Sequence, residues 1–469
     1  MPHGDFTFDP FHYRDGVSRV LIQQGRVQLD SDANEQTETI LRFLRNLARD
    51  VIGPHGGVGD SFFIELAGSP AALRIRRGEY YVDGIRCVLP QDGELWEIID
   101  DESKAAQRQA LPLEKLANYV APGAEANGKE LLLYLDVFER HISSAEDDTL
   151  REVALLGADT ASRAVIVWQI RALILDAEFR ELMSRAAAYD WPFVQSIDDL
   201  YAALNVRLRT GIRMRAQAIG SDSTNPCIIS PEARYRGTEN RLFRVEIHDE
   251  GTAPGIQPVR PPAFKWSADN GSIVYPIVKV DGTTLHLGSL GRDARTQLCV
   301  NDWVEVVDDD VVLHPRPHPL LQVHEVHPET MTVVLSAPPD APAGSQPAKR
   351  PILRRWASDL VPIRPLTPEQ WIELADGVQV AFSRLPHPEA GFRSGDYWLI
   401  PTRTANGELA WPRDDQGAPL AMPPNGIEHH YAPLASWAAG RATATSSGTV
   451  SDLRRTFEHL AGLPKPPKA

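Results

Sequence analysis

Cysteine is scarce in this sequence: Cys87, Cys227 and Cys299 are the whole complement of 469 residues. They are odd in number, far apart and never in CxxC spacing, which supports neither a disulfide framework nor a thiolate zinc site. Each sits among apolar neighbours, a setting that predicts buried, inert thiols. Basic charge is also in deficit, with 48 Lys and Arg against 63 Asp and Glu and a net charge of −15. That balance repels nucleic acid and anionic membrane surfaces, which are bound through Lys and Arg. The short basic clusters, Arg74, Arg76 and Arg77 and then Arg207, Arg209, Arg213 and Arg215, read as solvated faces or ion-pair partners. No apolar run approaches the ~20 residues of a membrane-spanning helix. The opening Met-Pro-His-Gly-Asp-Phe lacks the basic and apolar regions of a secretory signal. The expectation is a chain made in the cytoplasm, with no membrane insertion and no nucleic-acid partner.

Catalytic fingerprints are missing as well. There is no Gly-x-Ser-x-Gly elbow, Walker loop, His-Glu-x-x-His or dinucleotide-binding glycine motif. Residues 53–59 are glycine-rich but follow a helix instead of opening one, the wrong order for holding phosphate at a helix N-terminus.

What is present is ordinary globular material, 42% hydrophobic and 24% charged, enough for two to four compact units at ~100–200 residues each. The pattern predicts an α+β, β-dominated fold of several small antiparallel sheets and barrels, with two amphipathic helices. Residues 1–29 read as an extended arm leading into a strand over Val17–Leu29. A helix over about 32–52 follows, capped by Asp32 with Glu35 three residues on. Ile40, Leu44, Leu47 and Val51 line one face, broadened by Leu41 and Ala48, and Gly53-Pro54 ends it. Strands fill 60–175, including a hairpin turned by Asp83-Gly84, with helical or loop material over 101–119. A second helix over about 197–217 is read from the stripe Leu200, Leu204, Leu208 and Ile212. After 220 short strands return, among them Phe243, Val245 and Ile247 alternating with Arg244, Glu246 and His248. A small barrel is expected at about 296–338, then a Pro-rich linker or loop over 338–351 and further strands at 377–382 and 396–401. Residues 438–450 read as a flexible connector, followed by a short helix from Ser451 and a loose tail. The expected division is 1–59, 60–220, 221–437 and 438–469.

Three groups of residues invite a chemical reading. His314, His318, His324 and His327 have metal-ligand spacing, but Pro315, Pro317, Pro319 and Pro328 exclude the helix that would bring them together; solvated or hydrogen-bonded loop histidines are expected. Asp308, Asp309 and Asp310 have the type of a calcium site but lack the EF-hand order, so a turn with its acids in water is expected. His429, His430 and Tyr431, and Glu139, Asp147 and Asp148 near His141, resemble acid–base sets with nothing fixing their mutual distance. No catalytic, cofactor-binding or metal residue is assigned. Ten tryptophans, among them Trp168, Trp266, Trp303 and Trp398, lie in strand patterns and are read as facing inward.

Several stretches together resemble a bacterial family of unknown function associated with phage-tail-like proteins and contractile injection systems, often found ahead of right-handed parallel β-helices. They include Ser18-Arg-Val-Leu-Ile-Gln-Gln-Gly-Arg-Val-Gln-Leu-Asp-Ser-Asp-Ala-Asn-Glu-Gln36, Tyr134-Leu-Asp-Val-Phe-Glu-Arg-His141, Phe264-Lys-Trp-Ser-Ala-Asp-Asn-Gly-Ser272, Asp302-Trp-Val-Glu-Val-Val-Asp-Asp-Asp310 and Gly395-Asp-Tyr-Trp-Leu-Ile-Pro401. The resemblance implies a structural or attachment role at a baseplate, fibre or tail, without catalysis. Its expected partners are other tail or baseplate proteins and further copies of itself, a trimer being one such state. The alternatives are a carbohydrate-binding or glycan-cleaving β protein, suggested by the tryptophans, and a cargo carried in the particle.

Overall fold

The computed structural model describes residues 3–4, 16–67, 72–94, 130–175, 180–182, 193–208, 211–219, 234–251, 260–313, 318–340, 343–363, 370–385, 391–438 and 449–457. The fold is β-dominated, with several small antiparallel sheets, as the alternation of apolar and polar residues predicts. The chain forms two compact units and passes between them more than once. One comprises residues 1–16, 141–164 and 210–427; the other comprises 17–140, 165–209 and 428–469. A division into consecutive blocks has no means of showing such interleaving, because the partner of a strand is set by tertiary pairing and not by position in the chain.

In the second of these units a helix, α1 (Asp30–Ile52), leads into a sheet. That sheet is ordered Thr456–Phe457, His55–Val58, Gly78–Val82, Ile85–Leu89. The helix begins two residues earlier than expected. Asp32 therefore occupies its first turn, and Oδ2 accepts from the backbone N–H of Leu29 (3.1 Å). Gly53, at φ +99°, ends it by donating to the Arg49 carbonyl (2.8 Å). The Asp83-Gly84 turn forms as expected, with both residues at positive φ (47° and 77°). A second sheet is ordered Arg163–Ile174, Glu130–Ile142, His430–Ala438, Thr449–Asp452. The apolar run in Glu130–Ile142 is explained by burial on both faces. Leu131, Leu133, Leu135 and Val137 join the main core, while Leu132 and Tyr134 pack with Leu200 and Leu204 of the second helix, α2 (Phe193–Leu208).

Four expectations are corrected here. Ile212 is not on α2: Ile212–Ala218 is a strand, because at Gly211 the apolar period changes from 3.6 to 2 and Ile212, Met214 and Ala216 turn inward. Val17–Leu29 forms no strand; its residues find no ladder partner and Leu21, Ile22, Val27 and Leu29 stay exposed. The segment from Ser451 is not helical, since Thr449–Asp452 pairs with His430–Ala438 and Thr456–Phe457 runs parallel to His55–Val58. Cys299 is exposed, whereas Cys87 is buried and its thiol is pushed up by that burial. Cys227, residues 101–119 and the tail lie outside the described residues.

In the other unit a three-stranded sheet (Ile212–Ala218, Val378–Arg384, Ile372–Glu373) faces a five-stranded one. The latter is ordered Val361–Pro362, Ala263–Ser267, Leu242–Asp249, Tyr397–Arg403, Glu408–Leu409. Phe243, Val245, Phe264, Val380, Phe382 and Trp398 fill the space between them. The barrel is closed and larger than expected. It runs from Val274–Asp281 to Ile352–Trp356 through Thr284–Leu287, Thr332–Leu335, Leu321–His327 and Trp303–Val307, around Leu285, Val304, Val323, Val333 and Leu353. Three strands outside the 296–338 window, Val274–Asp281, Thr284–Leu287 and Ile352–Trp356, are needed because a three-strand meander has edges and only closure removes them.

Candidate functional site

Alternation along Leu242–Asp249 puts Phe243, Val245 and Ile247 in the sandwich core, which leaves Arg244, Glu246 and His248 on the opposite face. That face is not solvated: the three are only 1%, 6% and 4% exposed. What covers it is the barrel, and the two surfaces meet through charge. Glu246 stands directly across the ladder from Lys265, and Glu305 of the barrel directly across from Arg354.

Glu305 is the hub. Its Oε1 accepts from Lys265 Nζ (2.7 Å) and lies 3.0 Å from His318 Nε2; its Oε2 accepts from the same Nζ (2.8 Å) and from Trp356 Nε1 (2.7 Å). Lys265 also reaches Glu246 Oε1 at 3.3 Å and sits over the Trp356 ring. Glu246 Oε2 accepts from Arg244 Nε (2.6 Å), and the Arg244 guanidinium stacks 3.5 Å from the Tyr397 ring centroid. His3 enters the same network from the N-terminal segment. Its Nε2 lies 2.9 Å from Glu246 and 3.2 Å from Arg354 Nη1, and its tautomer decides which of the two it bonds. Asn270 anchors the segment by donating to the Gly4 carbonyl (2.8 Å).

Burial by itself would raise both carboxyls. Lys265 and His318 at Glu305, and Arg244, Lys265 and His3 at Glu246, hold them well below the usual carboxylate range. Burial lowers His248 to about 4, assisted by the Lys265 charge, so its ring is neutral. His3 is lowered too, by burial and then by Arg244 and Arg354.

His248, Glu305 and His318 place three ligand-type atoms within 4.8 Å of one another, a set that two imidazoles and a carboxylate could offer a metal. His248 even directs Nε2 to the His318 carbonyl (2.5 Å), as metal-bound histidines do. The surrounding charge argues against a cation. Arg244, Lys265 and Arg354 already outnumber Glu246 and Glu305, and both Glu305 oxygens are bonded to the Lys265 ammonium. A divalent ion would sit beside that ammonium in a desolvated space, where like charges repel strongly. The set fits an ion-pair network and not a metal.

Of the four histidines singled out from sequence, His318 alone enters this network. His314 lies outside the described residues, His324 is exposed, and His327 pairs with Glu325 on the barrel surface (2.9 Å). The aspartate triplet is a correction, since it opens a helix instead of a turn, and Asp308 and Asp309 are buried while Asp310 is half-buried. Asp308 accepts from the N–H groups of Val311 (3.1 Å) and Gly344 (2.9 Å), starting a short helix, α3 (Asp309–Leu313). Asp309 pairs with Arg350 and Asp310 with Lys349, so the triplet fastens the Pro-rich 338–351 loop to the barrel.

The other unit carries two smaller clusters. Asp83, in the hairpin turn, accepts from Tyr201 Oη of α2 (2.7 Å) and pairs with His430 Nδ1 (2.9 Å); those bonds hold its carboxyl down against its own desolvation. His55 is fully buried, bonded to Tyr80 Oη (2.8 Å) and stacked on Tyr201, and burial followed by the Arg455 charge lowers it to about 3. His429 Nδ1 meets Asp136 Oδ1 (2.6 Å), whose other oxygen lies 2.8 Å from Arg171. Thus His429 and His430 have separate partners, while Glu139 pairs with Arg45, Asp147 bonds Thr149 and Asp148 pairs with Arg151. These pairings put Glu139, Asp147 and Asp148 on three different partners and His429 and His430 on two different carboxylates.

Sequence reasoning missed Arg244, Glu246, His248, Lys265 and Glu305 as a group. The available signal was a charge inside each apolar strand, Lys265 between Phe264 and Trp266 and Glu305 between Val304 and Val306. Both fall in the motif stretches quoted above.

Together, fold and network define a two-unit β protein whose buried charged groups join sheets to one another. A model described as a family of unknown function (DUF6519) matches residues 3–190 and 189–444, and the chain belongs to that family. No curated protein and no solved structure matches it.

Proposed function

We propose that this protein is a structural or attachment component of a phage-tail-like particle, at a baseplate, fibre or tail, and does no catalysis. The observation that carries the reading is the closed state of its best chemical cluster. Glu305 has Lys265, His318 and Trp356 on its two oxygens, so the groups a reaction would need are engaged in joining barrel to sheet. Charge placed this way makes a rigid, specifically registered scaffold, a recognised use of buried ion pairs. The particle setting comes from the sequence resemblance, an associational support. A carbohydrate-binding role draws less support, because sugar platforms need exposed aromatic faces. Among the eight described tryptophans, Trp168, Trp266, Trp356, Trp398, Trp411 and Trp437 are buried and Trp303 and Trp371 half-buried.

The test is mass spectrometry and electron microscopy of native particles purified from the source cells. The expected result is stoichiometric presence of the chain on the baseplate, fibre or tail exterior. Its absence from the particles, or its location in the tube lumen as cargo, would overturn the proposal.

A further inference from the structure

Helix α1 carries two stripes, and the fold uses only one. Leu41, Arg45, Ala48 and Ile52 face the body of the unit and are half-buried. Arg45 pairs with Glu139 (2.6 Å), and the backbone of Arg45 lies against Gly84 so closely that a Cβ there would fall 2.2 Å from the Arg45 carbonyl oxygen. The other stripe is Ala33, Thr37, Ile40, Leu44, Leu47 and Val51, and every one of the six is exposed. Their spacing of four, three, four, three, four is the heptad seam of a coiled coil. Beside it the arm adds Leu21, Ile22, Val27 and Leu29, held along the helix by a bond from Val20 N–H to Gln36 Oε1 (2.9 Å). Of the eighteen large hydrophobic residues exposed among the described ones, nine fall between residues 21 and 51: these four, with Ile40, Phe43, Leu44, Leu47 and Val51.

We propose that this stripe is the self-association surface of the chain, covered in solution by the same stripe of a second copy. Three features select that occupant. A heptad seam is complementary to itself, so identical copies interdigitate without any further partner. The positions flanking the seam are Asn34, Gln36, Leu41, Phe43, Ala48 and Asp50. Only Asp50 among them is charged, so two copies meet without the like-charge flanks that reject self-pairing. Nine side chains offering on the order of 100 Å² each match the ~800 Å² that one partner of a stable interface covers. The seam is under three heptads long, marginal for free helices, but α1 is already held against its own unit, which removes most of the ordering cost. A membrane surface fits less well, since acids outnumber bases on the rest of the helix, Asp30, Asp32, Glu35, Glu38 and Asp50 against Arg42, Arg45 and Arg49.

The experiment is sedimentation velocity of the full chain from ~1 to ~50 μM, a range that resolves moderate affinities. The wild type is expected at a multiple of 51.9 kDa. The double variant Leu44→Glu/Leu47→Glu is expected as a folded monomer, with unchanged circular dichroism and self-association weakened about 100-fold or more. Leu44→Met/Leu47→Met keeps the oligomer, as does Val278→Glu, a control at an exposed apolar residue on the barrel. A wild type that is monomeric throughout, a glutamate variant that keeps the wild-type mass, or a monomer that instead floats with phosphatidylcholine–phosphatidylglycerol vesicles would each overturn the proposal.

Discussion

Replacing Glu305 by glutamine keeps the side-chain shape and removes one charge from the junction between barrel and sheet. In the native protein Lys265 Nζ rests on both Glu305 oxygens at 2.7 and 2.8 Å. Its next partner, Glu246 Oε1, is 3.3 Å away on a carboxylate that also serves Arg244 and His3. The variant therefore leaves a buried ammonium without its main counter-charge, for an expected loss of ~3–5 kcal/mol. Lys265→Met strands the carboxylate in the same way, with a loss of similar size softened by the Trp356 and His318 contacts. Replacing both, Lys265→Met with Glu305→Gln, removes the desolvation cost of both charges together with their attraction and keeps an acceptor for Trp356. The pair is expected within ~1–2 kcal/mol of wild type, giving a coupling of at least ~3 kcal/mol. Urea unfolding followed by tryptophan fluorescence gives the free energies. Hydrogen exchange read by mass spectrometry should place the lost protection in Ala263–Ser267 and Trp303–Val307. Single variants costing under ~1 kcal/mol, or losses that simply add in the double variant, would refute the view that this network holds barrel to sheet.

Three other outcomes follow from the same structure. His55 and His248 have folded pKa values of about 3 and about 4, below the ordinary 6.5. Between those values the unfolded chain binds more protons, so stability is full above about pH 6.5 and falls as the pH drops toward 4, by ~1–2 kcal/mol per histidine at pH 5. Melting temperatures at pH 7.5 and 5.0 check this, and an unchanged or higher value at pH 5.0 would contradict the burial of neutral imidazoles. Gly84→Ala puts a Cβ into the α1 backbone at a φ of +77°, and a loss of ~2 kcal/mol with deprotection of residues 30–52 in hydrogen exchange is expected. Zinc addition or EDTA should leave the melting temperature within ~1 °C; native mass spectrometry detecting one tightly bound ion that His248→Ala abolishes would show the His248–Glu305–His318 set to be a metal site after all.

The sequence by itself determined the local structure wherever one physical rule acted alone. The apolar face of α1, its glycine stop, the Asp83-Gly84 turn and the alternating strands of Phe243–Ile247 all follow from periodicity and backbone sterics. It also determined that Trp168, Trp266 and Trp398 would face inward, because they stand among β-branched and apolar neighbours; Trp303, read the same way, is half-buried. Where two periods adjoined at Gly211, or where an apolar arm lacked a strand partner, local pattern was insufficient and Ile212 and Val17–Leu29 were misread. Tertiary structure alone decided which charges are buried. Alternation assigns Arg244, Glu246 and His248 to one face, but only the approach of the barrel turns that face from solvated to dry and makes Glu305 the mate of Lys265. Residues 40 or more positions apart in the chain thus became one network, because Coulomb energy depends on distance and on local dielectric, and neither is written in the order of residues.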